Sequence, residues 1–348
     1  MIFLNIFLWP FSFLYLLVTT IRNGFYDLGW CKRYTLPVAV VCIGNLKAGG
    51  TGKTPLTLFI LQHVAHRYKT AVLSRGYGRT TKGFILASEQ DTAQTIGDEP
   101  LQCYRHADGV YQVAVCEDRV EGVTQLLKHF PETELILLDD GFQHRRLNRD
   151  LDIVLTEYGD PFFRDWLLPL GRLREARSGA ARAGAVVVTK CPVTVNKDFF
   201  ASNISAYTKA PVYYSSILYG SLKNAHTERS LAPQDEVVLL SGIANPLPLY
   251  QYLKEQAVVV HHAVYKDHYR YTTEDLAQAE EIRAAHTHGI VVVTEKDWVK
   301  ILPYITQQLD LYRNWYYLPV AIDLNEHHTF ITQVDTTINQ RLSALKNK

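Results

Sequence analysis

The sequence predicts an α/β fold: a larger domain on a parallel sheet, a second smaller α/β domain, and an apolar helix ahead of both. Three observations carry that prediction. Short continuous apolar runs alternate with candidate helices in two separate stretches, as expected of parallel strands buried on both faces. Residues 44–54 read Gly-Asn-Leu-Lys-Ala-Gly-Gly-Thr-Gly-Lys-Thr and stand between such a run and a helix start. The first 21 residues contain no charged side chain.

The 348-residue length favours two domains over a single core. A formal net charge of +1 gives no global basic field, which argues against a nucleic-acid partner. The five cysteines form no close metal-ligand pair, and their odd number argues against a disulfide framework. No obligate protein partner is inferred.

Residues 1–33 form the expected membrane anchor. Its apolar part is long enough either to cross the hydrocarbon layer or to lie in its surface, with Trp9, Tyr15 and the phenylalanines at the interface. A cleaved signal peptide fits less well, because no positive region precedes the apolar run. Arg22, Lys32 and Arg33 follow it and place the remainder of the chain in the cytoplasm. Pro10 is a point of kinking.

Residues 34–210 form the expected larger domain. Its strands are the runs 38–43, 70–74, 112–115, 135–138, 153–155 and 185–188, with helices over residues 55–66 and 119–129. Residues 211–224 read as an interdomain connection, within which residues 213–219 can form a strand. A second set of runs at 237–240, 257–260, 290–293 and 315–320, with a helix over 274–286, gives the smaller domain at 225–325. Residues 326–348 remain as a tail or final helix.

The glycine-rich stretch has the context of a P-loop NTPase: backbone N–H groups and a helix N-terminus can surround phosphate oxygens without side-chain obstruction. Lys53 would reach the terminal phosphates and Thr54 would offer its hydroxyl to Mg2+. Lys47 stands where the strict pattern has glycine, and Gly49 and Gly50 supply the turn instead. The run ending in Asp139-Asp140 delivers a carboxylate to a nucleotide-bound metal, with Asp139 facing the metal and Asp140 aside or assisting.

Other strand ends carry further polar groups. Arg75, Tyr77 and Arg79 lie in Ser-Arg-Gly-Tyr-Gly-Arg, where the arginines can pair with phosphate oxygens or face water. Gly97-Asp98-Glu99-Pro100 offers a base for a hydroxyl nucleophile. Gln143 and His144 follow the paired aspartates, and spacing leaves open whether they meet nucleotide or acceptor. His268 follows Asp267, and Lys296 lies in Thr-Glu-Lys-Asp, each open to a structural or a site role.

These motifs, in this order, together with Leu168-Pro169-Leu170-Gly171-Arg172-Leu173-Arg174-Glu175 and Ser241-Gly242-Ile243-Ala244-Asn245-Pro246, resemble the tetraacyldisaccharide 4'-kinase family of Gram-negative bacteria over nearly the full length. Arg172 departs from the pattern by standing where proline is more common. The resemblance implies an enzyme that moves the γ-phosphate of ATP, with Mg2+, to the 4'-hydroxyl of a tetraacylated glucosamine disaccharide 1-phosphate, forming lipid IVA in lipid A biosynthesis. It implies catalytic roles for Asp98, Asp139 and His268, and nucleotide contacts from Asn45, Gly49, Gly50, Thr51, Gly52, Lys53 and Thr54. Thr54 and Asp139 would hold the metal. Arg75, Tyr77, Arg79, Gln143, His144 and Arg172 would face the acceptor. It also implies a place on the cytoplasmic face of the inner membrane, among membrane lipids. The alternatives are a membrane-associated kinase of another glycolipid and a P-loop switch protein without an acceptor cleft.

Overall fold

The computed structural model describes residues 2–224 and 226–347, with side chains from residue 7 onward within the first helix. The expected α/β architecture is present as two sheets. The larger has nine strands, in the order Val320–Leu324, Val212–Tyr219, Ala185–Thr189, Leu151–Glu157, Ala39–Asn45, Leu135–Asp139, Thr70–Ser74, Gln112–Val115 and Ile85–Leu86. Its seven inner strands run parallel, and an antiparallel strand closes each edge. Every residue of Ala39–Asn45, Thr70–Ser74, Leu135–Asp139 and Ala185–Thr189 is buried, so these strands read as unbroken apolar runs rather than alternating ones. Helix Lys53–Val64 packs Leu56, Ile60, Leu61 and Val64 into the core on one face of the sheet. Helix Arg119–His129 contributes Val120, Val123 and Leu126 to the core on the other.

The smaller sheet has the order Glu228–Arg229, Leu222–Lys223, Trp315–Leu318, Gly289–Thr294, Glu236–Ser241 and Val258–Val264. Trp315, Ile301 and Leu276 fill one face of it.

Two segments depart from the sequence expectation. The strand expected within the connection at 211–224 is present as Val212–Tyr219, but it belongs to the larger sheet, where Val186–Val188 pair with it. The run at 315–320 is two strands in different sheets, Trp315–Leu318 and Val320–Leu324, separated by Pro319. Proline has no N–H to give a ladder, so the break falls there. Gly220 N donates to Pro319 O at 3.0 Å, so the outgoing and returning chains cross between the sheets side by side. Helix His327–Lys346 then packs Phe330, Ile331, Val334 and Ile338 into the core of the larger lobe.

Helix Ile2–Asp27 lies against the larger lobe through Ser12, Tyr15 and Asn23, which follow one another at helical spacing. Ser12 Oγ donates to Leu167 O at 3.1 Å, Tyr15 Oη to Arg174 O at 2.8 Å and Asn23 Nδ2 to Glu175 Oε2 at 2.9 Å. Its other face exposes Phe7, Trp9, Phe11, Phe13, Leu14, Leu17, Val18 and Ile21. Among the described residues, no helix is long and apolar enough to cross a membrane. Part of the expected anchor, the side chains of residues 1–6, lies outside the described residues.

Candidate active site

The phosphate loop leaves the carboxyl end of strand Ala39–Asn45 and runs into helix Lys53–Val64. Gly49 and Gly52 adopt φ of +122° and +86°, a region that a side chain disfavours. Gly50 does not share that conformation, so the turn rests on Gly49 and Gly52. Asn45 Nδ2 donates to Thr51 Oγ1 at 2.8 Å and braces the loop across its base. Lys47, at the place of the missing glycine, is buried, pairs with Asp160 and lies 2.8 Å from Asp165, tying the loop to the neighbouring segment. From the other side, Lys190 Nζ donates to Gly50 O at 2.6 Å and Thr189 Oγ1 to Thr51 O at 2.9 Å. Lys53 and Thr54 are buried in the wall of a cleft of about 1240 Å³, counting its open mouth.

Asp139 is 1% exposed at the end of its strand, and its Oδ1 has no hydrogen-bond partner. Burial, reinforced by Glu99, pushes its carboxyl up to about 7. Asp140 adopts φ +51° and turns toward Lys53, whose Nζ is 3.9 Å from its Oδ2. Burial raises the Asp140 carboxyl, but Lys53 and Arg174 outweigh it and hold it below the ordinary value. The two aspartates thus differ by environment: one is orphaned and reluctant to ionise, the other is a charged partner of the loop lysine.

The third group meets across the cleft. Gly97, at φ +96°, brings the Gly76–Tyr77 backbone against the start of helix Asp98–Ala107; an added Cβ would lie 3.0 Å from Tyr77 O. Asp98, 4% exposed, accepts from His268 Nδ1 of the smaller lobe at 2.9 Å. His268 holds φ +59°, uncommon for a residue with a side chain and characteristic of constrained sites. The hydrogen bond to Asp98 raises the His268 pKa. Burial raises the Asp98 carboxyl, but the His268 bond and the Lys296 charge bring it below its usual value. Tyr77 packs its ring 5.0 Å from that of His268.

The expected acceptor-side residues do not form one cluster. Tyr77 is exposed beside the Asp98–His268 pair, while Arg75 is exposed and its charge acts on Arg119 rather than on that pair. Arg79 is turned inward onto Glu117 at 2.6 Å and Gly83 O at 2.7 Å. Arg172 stays beside the phosphate loop near Gly49 and pairs with Asp160. Arg174, which the sequence places in the motif at 168–175 without a site role, donates to Asp140 Oδ1 at 2.8 Å and to Gln143 Oε1 at 3.3 Å. Gln143 Nε2 in turn donates to Asn45 O at 2.9 Å and Glu175 Oε1 at 3.0 Å. His144 is half-buried, and that burial, with the Arg119 charge second, lowers its pKa to about 4; its Nε2 accepts from Arg119 N at 3.3 Å. Arg119, read only as a helix start, and Glu175, read only as the end of the motif at 168–175, carry no site role in the sequence, because nothing local marks a buried arginine or glutamate as part of a site.

Glu175 is fully buried and accepts from Arg182, Gln143 and Asn23, joining the apolar helix to the base of the phosphate loop. Glu175→Ala leaves Arg182 without its carboxylate and is expected to cost about 3 kcal/mol of stability, read as a lower denaturant midpoint. Glu175→Gln, which keeps the acceptor oxygen, is expected to lose less.

A family model described as tetraacyldisaccharide-1-P 4'-kinase matches residues 4–339. A tetraacyldisaccharide 4'-kinase of Cytophaga hutchinsonii is 53% identical over 349 residues, covering 99% of this chain and 99% of that protein. One from Flavobacterium johnsoniae is 36% identical over 342 residues, covering 96% and 97%. The crystal structure of LpxK from Aquifex aeolicus in complex with ATP superposes with a TM-score of 0.76 at 28% identity, over 96% of this chain and 99% of that one. The chain belongs to the tetraacyldisaccharide 4'-kinase family.

Proposed function

We propose that this protein transfers the γ-phosphate of ATP to the 4'-hydroxyl of tetraacyldisaccharide 1-phosphate. The observation that carries the reading is the meeting of Asp98 and His268, from different lobes, at the edge of the phosphate-loop cleft: their chain neighbours Glu99 and Asp267 line that cleft together with Lys53 and Thr54, while the pair itself lines the adjoining pocket. A nucleotide switch needs the loop alone. A kinase also needs a base facing it across a closed space.

The residues divide the work by chemistry. Backbone N–H groups of residues 49–54 and the Lys53 ammonium bind the triphosphate, with the base against the apolar wall of Ile217, Tyr219, Ile243 and Leu318. The fit of Mg2+ rests on the unpartnered, buried Asp139 Oδ1 and the Thr54 hydroxyl. No cluster of three metal-binding side chains exists among the described residues, as suits a cation that takes most of its ligands from phosphate and water. Bound there, Mg2+ would neutralise charge on the β- and γ-phosphates. Asp98 accepts the proton of the sugar hydroxyl as its oxygen bonds to the γ-phosphorus and the bridging oxygen leaves with ADP. His268 holds the carboxylate in place through Nδ1. Arg75, Tyr77, Gln143, His144 and Arg174 are the acceptor-side groups, and Arg172 serves the nucleotide loop.

Membrane association is the second part of the proposal. Helix Ile2–Asp27 turns its polar residues toward the protein and its apolar ones outward, the reverse of a helix on a water-facing surface. That geometry suits a helix lying in the bilayer interface, on the cytoplasmic face of the inner membrane, beside a substrate with four acyl chains. Tyr15 and Asn23 connect the same helix to Arg174 and Glu175 at the edge of the site.

Incubating the full chain with Mg-ATP and the lipid in detergent, then identifying the product by mass and phosphorus NMR, tests the assignment. One added phosphate at the 4'-position is expected. ADP formation with an unchanged lipid would overturn the acceptor assignment. Lys53→Met is expected to weaken ATP binding at least ~30-fold by removing a buried charge-assisted phosphate contact, as measured by calorimetry.

A further inference from the structure

The Thr294-Glu295-Lys296-Asp297 motif is the part of the smaller lobe that the transfer reaction leaves without a task. Thr294 caps helix Glu295–Ile305, and Asp297 Oδ2 accepts from Thr294 Oγ1 at 2.7 Å and Gly242 N at 2.8 Å, fixing the helix start to its own lobe. Glu295 accepts from Gln102 Nε2 at 2.9 Å and lies 2.6 Å from His106 Nε2, both on helix Asp98–Ala107 of the larger lobe. Between these anchors the Lys296 side chain enters the cleft and is 17% exposed. Its ammonium lies 3.2 Å from Asp267, 3.4 Å from Glu99 and 3.7 Å from Asp98. His268 Nε2 is 3.4 Å from the ammonium, within hydrogen-bond reach, whereas the Asp267 carboxylate that also faces this nitrogen stands 3.7 Å off, beyond it.

We propose that Lys296 is a positioning residue for the Asp98–His268 pair, holding Asp98 ionised and selecting the imidazole tautomer that donates to it. An ammonium can only donate, so the His268 nitrogen facing it must be the one with the lone pair. The proton of the neutral ring then sits on Nδ1, where it meets Asp98. The inference rests on Asp98 being the group that receives the sugar proton, and it names a task for a residue that does not itself touch the reacting atoms.

The charges around the pair are mixed. Asp98 faces His268 and Lys296, with the Lys300 ammonium further off, while Lys296 faces Glu99, Asp267 and Asp98. Burial disfavours the Lys296 charge, but the three carboxylates outweigh it and raise its pKa above the ordinary value. Lys296 lowers the pKa of both Asp98 and His268. Removing it therefore raises both, and the acid limb of the pH–rate profile moves to higher pH.

The test compares the full-length wild type with Lys296→Met and Lys296→Arg. Lys296→Met is expected to lower kcat ~30-fold with the KM for ATP little changed, and to move the acid limb up by about one unit. Lys296→Arg restores the position of the limb. In the absence of nucleotide and lipid, the His268 imidazole titration followed by NMR moves upward in Lys296→Met. A raised KM with unchanged kcat would make Lys296 a phosphate ligand and overturn the proposal, as would an unmoved acid limb and unmoved titration. Lys296→Gln carries the same comparison if the methionine variant does not fold. The imidazole titration needs no acceptor, so wild-type failure to phosphorylate the lipid would retire the kinase assignment while leaving Lys296 decided.

Discussion

Asp98→Asn is expected to lower kcat about 1000-fold while ATP affinity stays close to that of the wild type. Asparagine keeps the shape of the side chain and an oxygen for His268 Nδ1, so the contact between the lobes survives. It loses the capacity to take a proton. Among the described residues, the hydrogen-bond partners of Asp98 are His268 and the Glu99 backbone, not Lys53 or Thr54. Binding and turnover should therefore separate, with calorimetry reporting ATP affinity and single-turnover transfer reporting chemistry. An Asp98→Asn enzyme of near-normal rate would remove Asp98 from the base role. Loss of ATP binding in parallel with rate would instead assign it to the nucleotide.

The second large effect is on the membrane. Combined Phe7→Ser, Trp9→Ser, Phe13→Ser and Leu17→Ser substitutions change only outward side chains of helix Ile2–Asp27 and spare Ser12, Tyr15 and Asn23, which hold it to the protein. At about 1.5 kcal/mol for each apolar side chain withdrawn from lipid, the four together should weaken vesicle partitioning by about 10⁴-fold. Flotation with anionic vesicles measures this. ATP binding by the quadruple variant should remain, since the cleft contains none of these residues. Unchanged flotation would mean that the outward face does not meet lipid.

Much of this organisation is local, and the local part was legible. The phosphate loop, Asp139–Asp140 and the buried strands are written in contiguous residues, because a parallel strand covered on both faces needs an unbroken apolar run. The membership of strands in sheets is not local. Val212–Tyr219 is legible as a strand but reads as part of the connection between domains, because its tyrosines and serines soften the apolar run; it pairs with Ala185–Thr189. Residues 315–320 formed one run in sequence, and only the two sheets on either side of Pro319 reveal that it is divided.

The site shows the same division. Asp98 and His268 were each weak signals alone, separated by 170 positions, and become one pair only when the lobes meet. Arg172 and Arg174 are neighbours in sequence, but Arg172 turns to Asp160 and Arg174 to Asp140, a choice made by distant carboxylates. Lys296 was indistinguishable from a solvated strand-end lysine until three carboxylates from two lobes surrounded it.

The most direct test of the central claim is transfer of labelled γ-phosphate from Mg-ATP to tetraacyldisaccharide 1-phosphate by wild type, Lys53→Met and Asp98→Asn side by side. The account predicts label at the 4'-position with wild type, and loss of transfer in both variants for different reasons: weak nucleotide binding in the first and absent proton acceptance in the second. Label released as free phosphate by the wild type, with none on the lipid, would contradict it.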